Sequence, residues 1–174
     1  VAFAEHGPHA TVRAIAEAAG VDAALVIHFF GSKDGLFVAA MEWPFDFAEA
    51  VEQIVTGPRS RMGRRLADFF LSVWDQPGER EPVLGLLRAA TTSPTAAELL
   101  RDQLGRRLLL PIAGYVDGPD AALRLTLCGS QLVGLGIARY IVRLEPLASL
   151  SAEEAAAAIA PTLQRYLTGP SPAR

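Results

Sequence analysis

The stretch "TVRAIAEAAGVDAALVIHFFGSKDGLF", residues 11–37, carries the chain's most suggestive polar groups: the Thr11 hydroxyl, the Arg13 guanidinium, the His28 imidazole and the Lys33 ammonium. None is spaced as a nucleophile–base pair or a metal-ligand set. They are hydrogen-bond donors and cations, the groups that hold phosphate oxygens and reach base edges. Lys33 follows Ser32 in the first turn of a helical pattern, where backbone N–H groups already favour anions. Ala23 and Ala24 are small enough to let a backbone come close to another molecule.

These groups reach one surface only if short elements place them there. Val12, Ile15, Ala16 and Ala19 form one face of a helix that Thr11 caps and Gly20 ends. Asp22 caps a second helix, 23 to about 29. On it Val26 and Phe30 face inward, while Asp22, Ala23, Ala24, Ile27 and His28 lie on the other side. Ser32 caps a third, which Pro44 kinks or ends. The two short helices joined by Gly20-Val21 have the spacing of a helix-turn-helix, which sets its second helix proud of the first. "VAFAEHG" reads as the tail of a helix stopped by Gly7, with Pro8 just beyond. Because it starts in mid-helix, residues are expected upstream of Val1.

In the Ile15-Ala16 pair, Ala19-Gly20-Val21, the closing Phe30, and Ser32-Lys33 followed by Leu36, the segment resembles the DNA-binding signature of the TetR family of bacterial transcriptional repressors. "FAEHG" is similar to the end of that family's first helix. The resemblance implies an all-α homodimer whose two heads, about 34–36 Å apart, meet a near-palindromic operator. It further implies a C-terminal helical domain that takes up a small apolar or amphipathic effector and thereby releases DNA. Thr11, Arg13, Ala23, Ala24, Ile27, His28 and Lys33 are the DNA-contact candidates. The polar ones would hold phosphates; His28 and the small residues at the helix start would face bases.

Three positions depart from the family pattern. Asp22 stands where Ser or Thr is common, Ile27 where many members have Tyr, and Phe29 where Tyr or His is usual. Residues 1–43 hold Arg13 and Lys33 against Glu5, Glu17, Asp22, Asp34 and Glu42, whereas the remaining charges cancel. Phosphate neutralisation supplies most non-specific DNA affinity. A basic N-terminal extension of about 10–20 residues is therefore expected, acting as an arm. The alternative reading is a helical small-molecule-binding or partner-controlled protein whose head has lost strong DNA binding.

The rest of the chain is helical by spacing, with segments at about 45–55, 59–75, 82–91, 94–113, 119–144 and 152–167. Gly57-Pro58, Pro77-Gly78, Ser93-Pro94, Asp117-Gly118-Pro119 and Gly169-Pro170 are read as breaks. Thr95 to Glu98 and Ser151 to Glu154 both match a capping box. The expected organisation is a helix-turn-helix head, 1–43, with its motif at about 11–30. A ligand-binding and dimerisation body follows, 44–168, and then a frayed tail, 169–174. Segment 119–144 is apolar nearly all round, as a helix covered on two sides must be. With segment 152–167 it can build an intersubunit four-helix bundle. Gly129, Leu132, Gly136, Tyr140, Ala156, Ile159 and Leu163 are its candidate contacts. Phe69, Phe70, Trp74 and Leu87 are candidates to line an effector pocket. Arg61, Arg64 and Arg65 read as a solvated stripe.

Other function classes find no footing. There is no Ser-elbow, no HExxH and no isolated carboxylate pair in an apolar setting, so no enzyme is expected. "GLGIAR", from Gly134, lacks the third glycine of a dinucleotide fingerprint and follows no strand. No second ligand accompanies His6 or His9, so neither a metal nor a cofactor is expected. The single cysteine, Cys128, suits a reducing compartment. No apolar run is read as reaching the roughly 18 residues of a membrane span. The expected location is the cytoplasm, with no membrane partner.

Overall fold

The computed structural model describes residues 11–40 and 43–170. The expected helix tail ending at Gly7, with His6 and His9, lies outside the described residues, as do the last four residues of the tail. Every regular element among the described residues is a helix. The chain divides into two compact units. One joins the N-terminal residues up to Trp43 with Glu81–Leu104; the other joins Pro44–Arg80 with Gly105 onward. Residues 81–104, read from the sequence as part of the body, thus cluster with the head.

In the first unit, α1 (Val12–Ala19) is capped by Thr11, whose Oγ1 accepts from the Ala14 N–H at 3.2 Å. Gly20 ends it at φ 67°, a left-handed conformation that costs glycine nothing. Asp22 caps α2 (Ala23–Phe30) by accepting from the Ala24 N–H at 2.7 Å. Ser32 caps α3 (Lys33–Ala40) through the Gly35 N–H at 3.0 Å. Ala16, Val26 and Leu36 form the core these helices share, with Val12, Ile15, Ala23 and Phe30 packed against it. Ala19, expected on the inner face, is exposed instead. A helix of eight residues offers few positions to a core this small, and Ala19 lies past it.

Helix α6 (Pro77–Thr92) starts five residues before the expected 82. Pro77 stands at its first position, where a missing N–H costs nothing, and Pro82 is accommodated within. Helix α7 (Pro94–Leu104) is capped by Ser93, whose Oγ accepts from the Ala96 N–H at 3.3 Å. The expected Thr95 capping box does not form, because Pro94 starts the helix one residue earlier. Ser93 Oγ also lies 3.0 Å from Ser32 Oγ, which ties the start of α7 to the start of α3.

In the second unit, α4 (Phe47–Val55) is capped by Asp46, and α5 (Met62–Asp75) follows a tight turn at Arg59–Arg61. A wide π turn at Gly105–Leu109 leads into α8 (Leu110–Ala113). Helix α9 (Ala121–Gly136) continues into a second π turn at Ile137–Val142. Helix α10 (Ala152–Thr168) starts with the capping box expected at Ser151 and Glu154: Ser151 Oγ accepts from the Glu154 N–H at 3.2 Å, and the Ser151 N–H donates to the Glu154 carboxylate at 2.8 Å. Helices α5 and α10 pack along each other, and the core runs from Ile54 and Leu71 to Cys128, Leu163 and Leu167. Burial pushes the Cys128 thiol up to about 12, so it stays protonated and acts as a small apolar residue.

The expectation that no stretch suits a membrane is corrected in one respect. Ala121–Val142 has the length and, at a mean hydropathy of 1.4, the composition of a span. Its two arginines show what it does here. Arg124 is buried, pairs with Asp120 at 2.9 Å, and donates to the Tyr166 and Gly169 carbonyls at 2.8 and 2.9 Å. Arg139 is buried and donates to the Leu147 and Leu150 carbonyls at 2.7 and 2.6 Å. Both fasten the helix to chain segments beside it.

Candidate nucleic-acid interface

The surface in question is the outer side of α2. Val26 is buried beneath it, and Phe30 packs against the same core, as the spacing predicts. Ala24, Ile27 and His28 are exposed. Ala23 is not on this face: it is half-buried and packs on the core of α1 to α3. Ala23 lies three positions before Val26 and so shares its face of the helix, which sets its methyl against the core. Thr11 and Arg13 are exposed and Lys33 is half-buried. Thr11 is therefore both a cap and an accessible hydroxyl.

Leu25, which the sequence reading left unassigned, and Phe29, noted only as a departure from the family pattern, stand on the same surface. Leu25 is 47% exposed and Phe29 is 71% exposed. The Phe29 ring meets the His28 imidazole edge-on at 5.4 Å, which limits where that imidazole can swing. Leu25 adjoins Val26 and so points away from the core, whereas Phe29, three residues on from Val26, stays outside although its spacing would carry it inward. Val21, in the turn before α2, is also exposed. The outer face is thus mostly apolar, with His28 as its polar group.

In the second unit the candidate effector residues Phe69, Phe70 and Trp74 pack against other aromatic rings. Trp74 is buried, stacked on Phe70 at 5.0 Å and tilted against Tyr140 at 5.6 Å. A Cβ added to Gly136 would lie 2.7 Å from the Trp74 ring, so the ring has taken the space that glycine leaves. Phe69 packs edge-on against Phe45 at 5.1 Å. Leu87 belongs to the first unit and is half-buried there. A groove of about 670 Å³ lies instead between Phe47, Val51 and Val55 on one wall and Arg106, Arg107 and Tyr115 on the other, with the Arg107 guanidinium 4.2 Å above the Phe47 ring. The π turn carries both arginines to it.

The candidate dimer contacts also need correction. Leu132, Gly136, Ala156 and Leu163 are buried inside their own chain, and Ile159 packs against that same core. Gly129 and Tyr140 are half-buried. Leu123, Ile137 and Ile141 instead face outward from α9 and its π turn, and Ala157, Ala158 and Pro161 do so from α10. Leu132, Gly136, Ala156 and Leu163, expected as contacts with a partner, thus face their own chain's core. Arg65 is likewise no solvated stripe residue: its Nε and Nη1 donate to the Ile54 and Pro58 carbonyls at 2.8 and 3.0 Å, closing the end of α4.

Known proteins agree with the helix-turn-helix geometry. The family profile described as "Bacterial regulatory proteins, tetR family" matches residues 2–40, and "Tetracyclin repressor-like, C-terminal domain" matches residues 60–167. The chain belongs to the TetR family. A crystal structure of a TetR-family regulator from Streptomyces coelicolor A3 is 36% identical, covers 95% of this chain and 88% of that one, and superposes with a TM-score of 0.65. The HTH-type transcriptional regulatory protein RaaS of Mycobacterium tuberculosis is 71% identical over 34 residues, 20% of this chain and 16% of its own length. The HTH-type transcriptional dual regulator CecR of Shigella flexneri is 37% identical over 65 residues, 33% of this chain and 29% of its own. The alignments thus span less than a third of either of these two relatives. The first of the two family profiles covers α1 to α3, and the second covers the chain from α5 to Leu167 in α10.

Proposed function

We propose that the protein is a ligand-responsive transcriptional repressor of the cytoplasm, which binds an operator duplex as a homodimer and releases it when a small molecule occupies the C-terminal domain. One observation supports this most: Ala24 and His28 stand exposed on a capped recognition helix whose inner face is closed by Val26. Thr11, Arg13 and Lys33 hold phosphates, and His28 reaches a base edge. The alternative of a head without DNA binding is not favoured, because the tetR-family regulatory-protein profile matches residues 2–40. The groove between Phe47 and Arg107 is the effector site, and its apolar floor beside two guanidinium groups suits an amphipathic molecule. The subunits meet through the outward stripe of Leu123, Ile137 and Ile141 on α9 and Ala157, Ala158 and Pro161 on α10.

The test is a salt series of fluorescence anisotropy with full-length protein and duplex from its gene's own upstream region. Binding must weaken steeply with salt, and Lys33→Ala must flatten the logarithmic slope by about one unit. An unchanged slope removes Lys33 from the phosphate contacts. His28→Ala must relax preference at one operator position.

A further inference from the structure

We infer that the recognition helix selects its operator through thymine methyl groups, with Leu25 as the reader. This rests on the DNA-binding reading above and adds to it the chemical feature that is recognised. The outward surface of α2 carries Ala24, Leu25, Ile27, His28 and Phe29, with Val21 and the capping Asp22 exposed in the turn before it. On the helix itself His28 is the one side chain among these that can hydrogen-bond. The bidentate readers of guanine and adenine, Arg, Lys, Asn and Gln, are absent from the helix, whose sequence is AALVIHFF. A base edge in the major groove offers one apolar group, the C5 methyl of thymine. An apolar surface pressed into that groove gains by covering methyls and loses by desolvating unpaired donors and acceptors at other bases.

Leu25 is the residue placed to do this. It is 47% exposed, lies in the first turn of α2, and directly follows Ala24, whose small side chain lets the helix approach. Phe29 lies one turn further along the same side as Leu25. Its ring packs against the imidazole, which leaves it a positioning residue for His28. Leu25 therefore reads methyls while His28 supplies the single polar base contact.

Parallel selections from random duplex libraries test this, one library made with thymine and the other with uracil, followed by anisotropy on the best duplex synthesised with either base. The uracil duplex is expected to bind about fourfold more weakly for each methyl covered, the effect of one buried methyl group. In Leu25→Ala, whose folding is checked by its thermal melt, this difference is expected to shrink to near one. In His28→Ala it must persist while preference at another position relaxes. Equal binding of the thymine and uracil duplexes overturns the inference, as does a Leu25→Ala protein that still distinguishes them. Retention of neither library overturns the DNA-binding reading itself, and this inference with it.

Discussion

The first unit holds α1 to α3 on Ala16, Val26 and Leu36, with a second small cluster under α6 and α7, whereas the second closes α5, α9 and α10 over an apolar core running from Ile54 to Leu167. The small core leaves large apolar side chains outside: Leu25, Ile27 and Phe29 have no room within. The large core also leaves apolar side chains outside, Leu110, Leu123, Ile137 and Ile141 among them, but it is extensive enough to draw in two arginines that donate to carbonyls. On the proposed function, a reading surface needs presentation more than stability, and a body that would carry dimer and effector contacts needs a firm frame.

The contrast is broken most forcefully in the body. Leu163 is fully buried, so Leu163→Ala is expected to cost about 2–5 kcal/mol, measured by chemical denaturation. A loss below 1 kcal/mol means the core is looser than described. Gly136 and Gly134 sharpen the picture on one helix. Gly136→Ala drives a methyl into the Trp74 ring and is expected to cost about 1–3 kcal/mol. Gly134, with open space where its Cβ would stand, gains about 1 kcal/mol on substitution by alanine. In the head, Asp22→Ala removes the α2 cap and should cost about 1 kcal/mol, with α2 amides exchanging faster in a hydrogen-exchange experiment. Exchange confined to α10 would contradict it.

The smallest effect is a pH dependence. Hydrogen bonds from the Ser151 backbone and hydroxyl hold the Glu154 carboxyl below its usual pKa. Its contribution is complete above the ordinary carboxylate range and is lost as the pH falls through the depressed folded value. Glu154→Gln cannot titrate, so its melting temperature should vary less across that acid range than the parent's.

How much was legible follows the same division. In the head each short helix faces one core, so spacing from Val26 and Ala16 gave most inner positions, and Thr11, Asp22 and Ser32 marked the starts. The misses there were Ala19 and Ala23, at helix ends where spacing loses force, and Leu25, which the spacing left unassigned. In the body α9 is apolar on both sides, so periodicity could not say which side meets its own chain. Leu132, expected as a dimer contact, packs in its own chain's core. Trp74 read as a pocket wall because nothing in the sequence shows that Gly136 cedes it space. The early start of α6 was hidden by Pro77-Gly78, a pair that opens a helix as readily as it ends one.

The central claim is that the outer face of α2 meets DNA, and Ala24→Glu tests it most directly. Ala24 is exposed, so the variant should keep the parent's melting temperature while its operator affinity, measured by anisotropy at fixed salt, falls about 100-fold as a carboxylate meets phosphate and base acceptors. An Ala24→Glu protein that folds normally and binds the same duplex with unchanged affinity would contradict the account.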